Sequence, residues 1–198
     1  MSKPIAVGIF LFNEVEVLDF AGPFEVFSLA EKVETKEKIF KVHTISERDA
    51  ILSARNGLKV KADFTFTNHP PLDVLIVPGG YGAEKIEIQN PAALTWIRET
   101  AARTAVVASV CTGALLLAES GVLTKETVTT HHLDQADLAQ RFPQLTVVSD
   151  KKYVDAGKII TSGGISAGIE MSLYLVARLA GREVSLATAQ RMEYDWQG

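Results

Sequence analysis

Cys111 is the only cysteine in the 198-residue chain, and it stands in the segment Ser109-Val110-Cys111-Thr112-Gly113. A small residue two positions before a nucleophile and a glycine two after it let the chain fold back sharply between a strand and a helix. The reactive atom is then projected from a strained turn. The N-terminus of the following helix favours the thiolate. The same features also suit a buried free cysteine, since free cysteines are among the most buried residues. Thr112 adds a hydroxyl able to donate to a substrate or position a water, or it simply fills the first helical turn.

A second chemical element is Pro78-Gly79-Gly80-Tyr81. The Gly79-Gly80 turn can present backbone amides to developing negative charge, as an oxyanion hole does, or it is only a tight structural turn. Tyr81 is placed to form part of a pocket wall. Asp19, just before Gly22-Pro23, suits the cap of the helix that those residues begin. His131 and His132 are consecutive, so in an extended segment they face opposite sides and cannot chelate one ion together. No metal site is expected, and either histidine is compatible with a surface position. Glu14 and Glu16 read as solvated loop residues, Glu170 as a charge near a helix N-terminus, and His43 and His69 lie in no motif.

The elements that must position these residues follow from hydrophobic periodicity. Ile5–Phe12, Ile39–Ile45, Asp73–Val77 and Ala105–Val110 read as buried strands. Helices are expected from Asp19 onward, after Asn90-Pro91, over Thr112–Glu119, over Leu133–Arg141, and along the face Ile169, Leu173, Val176, Ala177, Ala180. Gly181 closes the last of these, and Glu183–Tyr194 forms a final amphipathic piece. Asn56-Gly57 marks a surface hairpin within Leu52–Phe66. Thr127–Thr130, Leu145–Val148 and Lys158–Thr161 are further strand candidates. Strands alternating with helices imply an α/β fold with a mainly parallel sheet covered on both faces. Ligands then bind at the strand C-terminal ends, where the Gly79-Gly80, Cys111 and Ser162-Gly163-Gly164 turns fall.

Composition narrows the functions. The chain carries 20 Lys and Arg against 24 Asp and Glu, a formal charge of −4, without a basic stripe. Nucleic acid is therefore not an expected partner. The longest uncharged stretch, Thr104–Ala118, is shorter than the ~20 apolar residues of a membrane span and contains polar residues. A single cysteine makes no intramolecular disulfide, and no signal-peptide pattern opens the chain, so a cytoplasmic location is expected. With 47% hydrophobic residues, 1–198 is read as one domain.

Three segments in order, Pro78-Gly79-Gly80-Tyr81-Gly82, Ser109-Val110-Cys111-Thr112-Gly113 and Thr161-Ser162-Gly163-Gly164-Ile165-Ser166-Ala167-Gly168, resemble signatures of the ThiJ/PfpI superfamily. Leu18-Asp19-Phe20-Ala21-Gly22-Pro23 and Thr129-Thr130-His131 are similar to those of the branch holding bacterial isonitrile hydratases and the N-terminal domains of AraC-type regulators. The resemblance implies a flavodoxin-like three-layer sandwich, a homodimer, a small-molecule substrate and no cofactor. It implies that Asp19 is the acid beside Cys111, which holds the thiolate and moves protons, in competition with the capping role. It puts His131 at the pocket, favours the amides of Gly80 and Thr112 as oxyanion donors, and leaves Gly163 and Gly164 to permit close packing.

Relatives associated with proteolysis or glyoxal chemistry commonly carry histidine after the cysteine, where this chain has Thr112. Isonitrile hydratase-like members resemble it in having Cys-Thr. The first expectation is thus a cysteine-dependent hydratase, a lyase that converts an isocyanide and water to an N-substituted formamide. Glyoxalase-type carbonyl chemistry is the enzymatic alternative. A ligand or redox sensor using Cys111 is the alternative of another class. The stretch after Gly181 is too short for the two helix-turn-helix motifs of an AraC-type regulator, so a sensor would require a separate partner.

Overall fold

Apolar runs of four to six residues become β1, β6 and β7 at the centre of the sheet in the computed structural model, which describes residues 3–198. β1 (Ile5–Phe10) leads to α1 (Val17–Leu29), β2 (Phe40–Ser46), β3 (Ile51–Ser53), β4 (Lys59–Lys61) and β5 (Phe64–Thr65). Next come β6 (Val74–Val77), α2 (Tyr81–Lys85), α3 (Pro91–Arg103), β7 (Val106–Ser109) and α4 (Gly113–Glu119). The chain closes with β8 (Thr127–Val128), α5 (Gln135–Arg141), β9 (Thr146–Val147), β10 (Tyr153–Asp155), β11 (Ile159–Ser162), α6 (Ala167–Ala180) and α7 (Arg182–Arg191).

Seven strands form one sheet in the order β10-β11-β7-β6-β1-β2-β5. All neighbours are parallel except β10, which runs antiparallel to β11 at the edge. β6 and β7 are buried at every position, as expected of strands covered on both faces. Helices α1, α6 and α7 pack together in one layer, while α2, α3 and α4 pack together in another. Because β1 connects to β2 on one side and has β6 on the other, strand order reverses beside β1. Such a reversal opens a crevice at the strand C-terminal ends.

Several sequence expectations shift in the folded chain. The hairpin is shorter than Leu52–Phe66: β3 and β4 pair over three residues, with Asn56 (φ 60°) and Gly57 (φ 91°) in a 3₁₀ turn between them. β5 leaves that hairpin and joins the main sheet beside β2. Asp63 draws it there, because its Oδ2 accepts from the Thr44 amide at 3.0 Å and hydroxyl at 2.9 Å. β8 and β9 form a small parallel pair of their own. α1 begins at Val17 with Glu16 at its N-cap, so Asp19 lies inside the first turn and does not cap the helix.

The core includes an aromatic group in which Phe66 stacks on Trp96 at 4.4 Å and Phe10 meets both. Trp96 Nε1 donates to His69 Nε2 at 3.0 Å. An indole N–H can only donate, so the His69 proton sits on Nδ1, 2.8 Å from the Pro70 carbonyl. Asn90 caps α3 as its type and the following proline imply, accepting from the Ala92 and Ala93 amides.

Candidate functional site

The turns after β1, β6, β7 and β11 converge beside the strand-order reversal. Cys111 stands between β7 and α4 with φ 54°, a left-handed conformation that a non-glycine residue adopts at a cost. Its amide donates to the Gly163 carbonyl at 3.1 Å, and its carbonyl accepts from the Thr130 hydroxyl at 2.7 Å. Gly113 is required for closure, since a Cβ there would lie 2.0 Å from the Val77 carbonyl oxygen. The elbow expected from the Ser-Val-Cys-Thr-Gly spacing is therefore formed, with Cys111 largely buried at its apex.

Asp19 reaches this elbow from α1 and is fully buried. Its Oδ2 accepts the Gly79 amide at 2.9 Å, while Oδ1 has no protein partner. Burial pushes the carboxyl up to about 7, with the Glu16 charge adding to the rise. The Gly79 amide, the Cys111 thiol and the Ile165 amide act in the opposite direction. Burial also pushes the Cys111 thiol strongly up, and the Asp19 charge pushes it further, against a smaller pull from the Thr112 amide. The Asp19 charge thus opposes ionisation of the thiol, whereas the thiol as a hydrogen-bond donor favours the ionised carboxyl, so the thiol keeps its proton and the carboxyl is the group that titrates near neutral pH.

The Gly79-Gly80 amides differ from the expectation. Gly79 N–H is committed to Asp19, and Gly80 N–H donates to Thr112 Oγ1 at 2.9 Å. Neither is available as an oxyanion donor. The reason is close packing: a Cβ on Gly79 would lie 2.5 Å from the Thr112 amide nitrogen, so the turn is pressed against the elbow. Thr112 is buried, and its hydroxyl joins the two turns rather than facing open space.

Of the two histidines, His131 lines the pocket and His132 is exposed. His131 Nδ1 lies 3.1 Å from Asp134 Oδ2. Gly164 makes room for the ring, since a Cβ there would lie 2.1 Å from His131 Cδ2, so its role is close packing as expected. Gly163 is less constrained. Tyr81 stands half-exposed at the wall with the Arg55 guanidinium 5.5 Å over its ring. Glu14 and Glu16 are not simply solvated: Glu14 pairs with Arg55 at 2.9 Å, and Glu16 lines the pocket. Glu170, early in α6 as expected, binds Lys152 at 3.1 Å and Tyr194 at 3.0 Å.

Cys111, Gly80, Tyr81, Glu16, Arg55 and His131 help to line a pocket of about 320 Å³ that opens past Tyr81, Leu133 and Ile165. Sequence reasoning missed Arg55, Glu84, Leu133, Asp134 and Ile165 in its lining. Glu84 falls three residues after Tyr81 in α2, a helical spacing that would have placed both on one face. Ile165 (φ 53°) carries no such signal. A larger cleft of about 380 Å³ between the end of α1 and α7 includes no cysteine and no strand-to-helix elbow, so chemistry rather than volume singles out the Cys111 pocket. Among the described residues, no group of three or more His, Cys, Asp or Glu side chains is arranged to hold a metal, and no helix is long and apolar enough to cross a membrane.

Residues 6–178 match the model of the DJ-1/PfpI family. Isonitrile hydratase of Pseudomonas putida is 34% identical over 191 residues, covering 96% of this chain and 78% of that protein. The HTH-type transcriptional regulator GbdR of Pseudomonas aeruginosa is 27% identical over 193 residues, and the chain spans 52% of its length. Among solved structures, a THiJ/PfpI family protein from Pseudomonas syringae superposes with a TM-score of 0.86 at 23% identity, covering 99% of this chain and 77% of that one. Drosophila melanogaster DJ-1beta gives 0.84 at 20% identity, covering 98% of this chain and 100% of that one.

Proposed function

The chain belongs to the DJ-1/PfpI family, and from that premise we propose that it is a cysteine-dependent hydratase converting an isocyanide and water to an N-substituted formamide. The observation that carries this reading is the Asp19–Cys111 contact: a fully buried carboxyl with one unpartnered oxygen beside a nucleophile at an elbow. The similarity to isonitrile hydratase supports the substrate class.

Burial disfavours charge on either group, so moving the thiol proton to Asp19 creates the thiolate without changing the net charge of the site. Sγ adds to the terminal isocyanide carbon, and Asp19 delivers the proton to that carbon, giving a thioimidate. Water then adds to the same carbon while the Asp19 carboxylate takes one water proton and passes it to nitrogen. Collapse of this adduct breaks the C–S bond, releases the formamide and returns the hydroxyl proton to sulfur. No oxyanion forms in the first addition, which fits a site whose Gly79 and Gly80 amides are already bonded. Thr112 holds the β6 turn against the elbow, and His131, Tyr81 and Gly164 shape the space above Sγ.

Turnover of a small isocyanide panel by wild type, Cys111→Ala and Asp19→Asn tests the proposal. Formamide production by wild type, abolished in Cys111→Ala, is expected. Full turnover by the folded Cys111→Ala variant overturns the mechanism. The similarity to GbdR favours one second reading, a ligand- or redox-responsive domain without turnover. Accumulation of Cys111 sulfenate at low peroxide, with no conversion of isocyanides or of methylglyoxal, would select it.

A further inference from the structure

We propose that the carboxylates around the Cys111 pocket select substrates by charge, admitting neutral and cationic electrophiles and rejecting anionic ones, with Glu84 and Asp134 as specificity-determining residues. The inference deepens the proposed function and rests on its premise that the substrate meets Cys111 in this pocket.

Glu16, Glu84 and Asp134 all line the pocket, and Asp19 lies buried beneath it. Arg55 is the one Lys or Arg among the lining residues, and its charge is already compensated. Glu14 holds it at 2.9 Å, and its guanidinium lies over Tyr81. His131 is likewise held by Asp134. No uncommitted cation among these residues faces an incoming anion.

An independent observation points to the same ligand chemistry. Asp19 Oδ1 is buried without a partner, and the groups nearest the carboxyl include the Cys111 thiol and the Ile165 backbone, both from lining residues. In its ionised form this unpartnered oxygen is an acceptor close to the lining, which disfavours a second acceptor or an anion there. The negative field is also felt by the pocket's own groups. Glu84 is shifted towards its protonated form by burial and by Asp134, and Cys111 by burial, Asp19 and Asp134.

In a partly enclosed site, one carboxylate several ångströms away changes the local concentration of a singly charged ligand about tenfold at low salt, and by less as salt screens it.

Because Cys111 is the only cysteine, thiol labelling reports on this pocket alone and requires no isocyanide turnover. Rate constants are measured for three methanethiosulfonates of similar size: trimethylammonium-ethyl, neutral 3,3-dimethylbutyl and sulfonato-ethyl. Each forms a mixed disulfide with Sγ and releases methanesulfinate. The cationic-to-anionic ratio, divided by the same ratio for a small free thiol, is expected to be about ten or more at low salt. It should shrink in Glu84→Gln and Asp134→Asn and with added salt. A normalised ratio near one overturns the proposal, as does failure of the cationic reagent where the neutral one reacts. If isocyanides are not substrates but the ratio holds, charge selection stands and only the hydratase reading fails.

Discussion

Asp19 and Gly79, 60 residues apart, are joined by a buried 2.9 Å hydrogen bond from the Gly79 amide to Oδ2. This bond ties the first turn of α1 to the turn after β6 and leaves Oδ1 without a hydrogen-bond partner in a carboxyl that lies close to the Cys111 thiol. The carboxyl is therefore held in position by one oxygen and available for proton transfer through the other.

Asp19→Asn retains an acceptor for the Gly79 amide but cannot carry the proton. Its kcat is expected to fall by about 10²–10⁴-fold while the fold persists. Unchanged kcat in steady-state assays of this variant would remove Asp19 from the mechanism.

The same carboxyl links stability to pH. Its folded value of about 7 lies above the ordinary aspartate value of 3.8, so between those pH values the folded state keeps a proton that the unfolded state has released. Stability from this group is fully present below about pH 4 and is lost as pH rises through 7, by at most roughly 4 kcal/mol. Urea denaturation at pH 4.5 and 7.5 should show Asp19→Asn gaining on wild type at the higher pH. A constant difference between the two proteins would contradict the shift.

For the reaction, Asp19 must be ionised to accept the thiol proton. The kcat/KM of wild type is expected to rise with pH through an apparent pKa near 7, a limb absent in Asp19→Asn. A flat profile across pH 5.5–8 would assign the proton transfer to another group.

Thr112→Val leaves the buried Gly80 amide without its acceptor, at a cost of about 1–3 kcal/mol. Thr112→Ser restores the hydroxyl and should recover most of the loss in chemical denaturation. Equal stability of the valine and serine variants would indicate that the bond contributes little.

Gly164→Ala places a methyl group 2.1 Å from the His131 ring, which must swing away. Labelling of Cys111 by neutral thiol reagents and substrate KM are both expected to change severalfold, with a smaller effect on thermal stability than on the pocket. A crystal structure of the variant with His131 unmoved would contradict the packing role.

Local patterns in the sequence were enough for the strands β1, β2, β6 and β7, the helix after Asn90-Pro91, the elbow at Cys111 and the three glycine-bearing turns around it. Each depends on short-range properties: hydrophobic periodicity, capping, and the backbone freedom of glycine at crowded turns. The resemblance carried by those turns also anticipated the family and the approach of Asp19 to Cys111.

What the tertiary structure decided is how polar groups are paired. The Gly79-Gly80 turn looked free to stabilise an oxyanion, yet its two amides are taken by Asp19 and Thr112, from elements distant in sequence. Glu84, Asp134 and Ile165 enter the pocket from three separate elements, and β5 deserts its hairpin for the main sheet through Asp63. Cys111 could be read as an elbow because its neighbours permit a particular backbone shape. The partners and charges around it could not, because they depend on which distant strand ends the fold brings together.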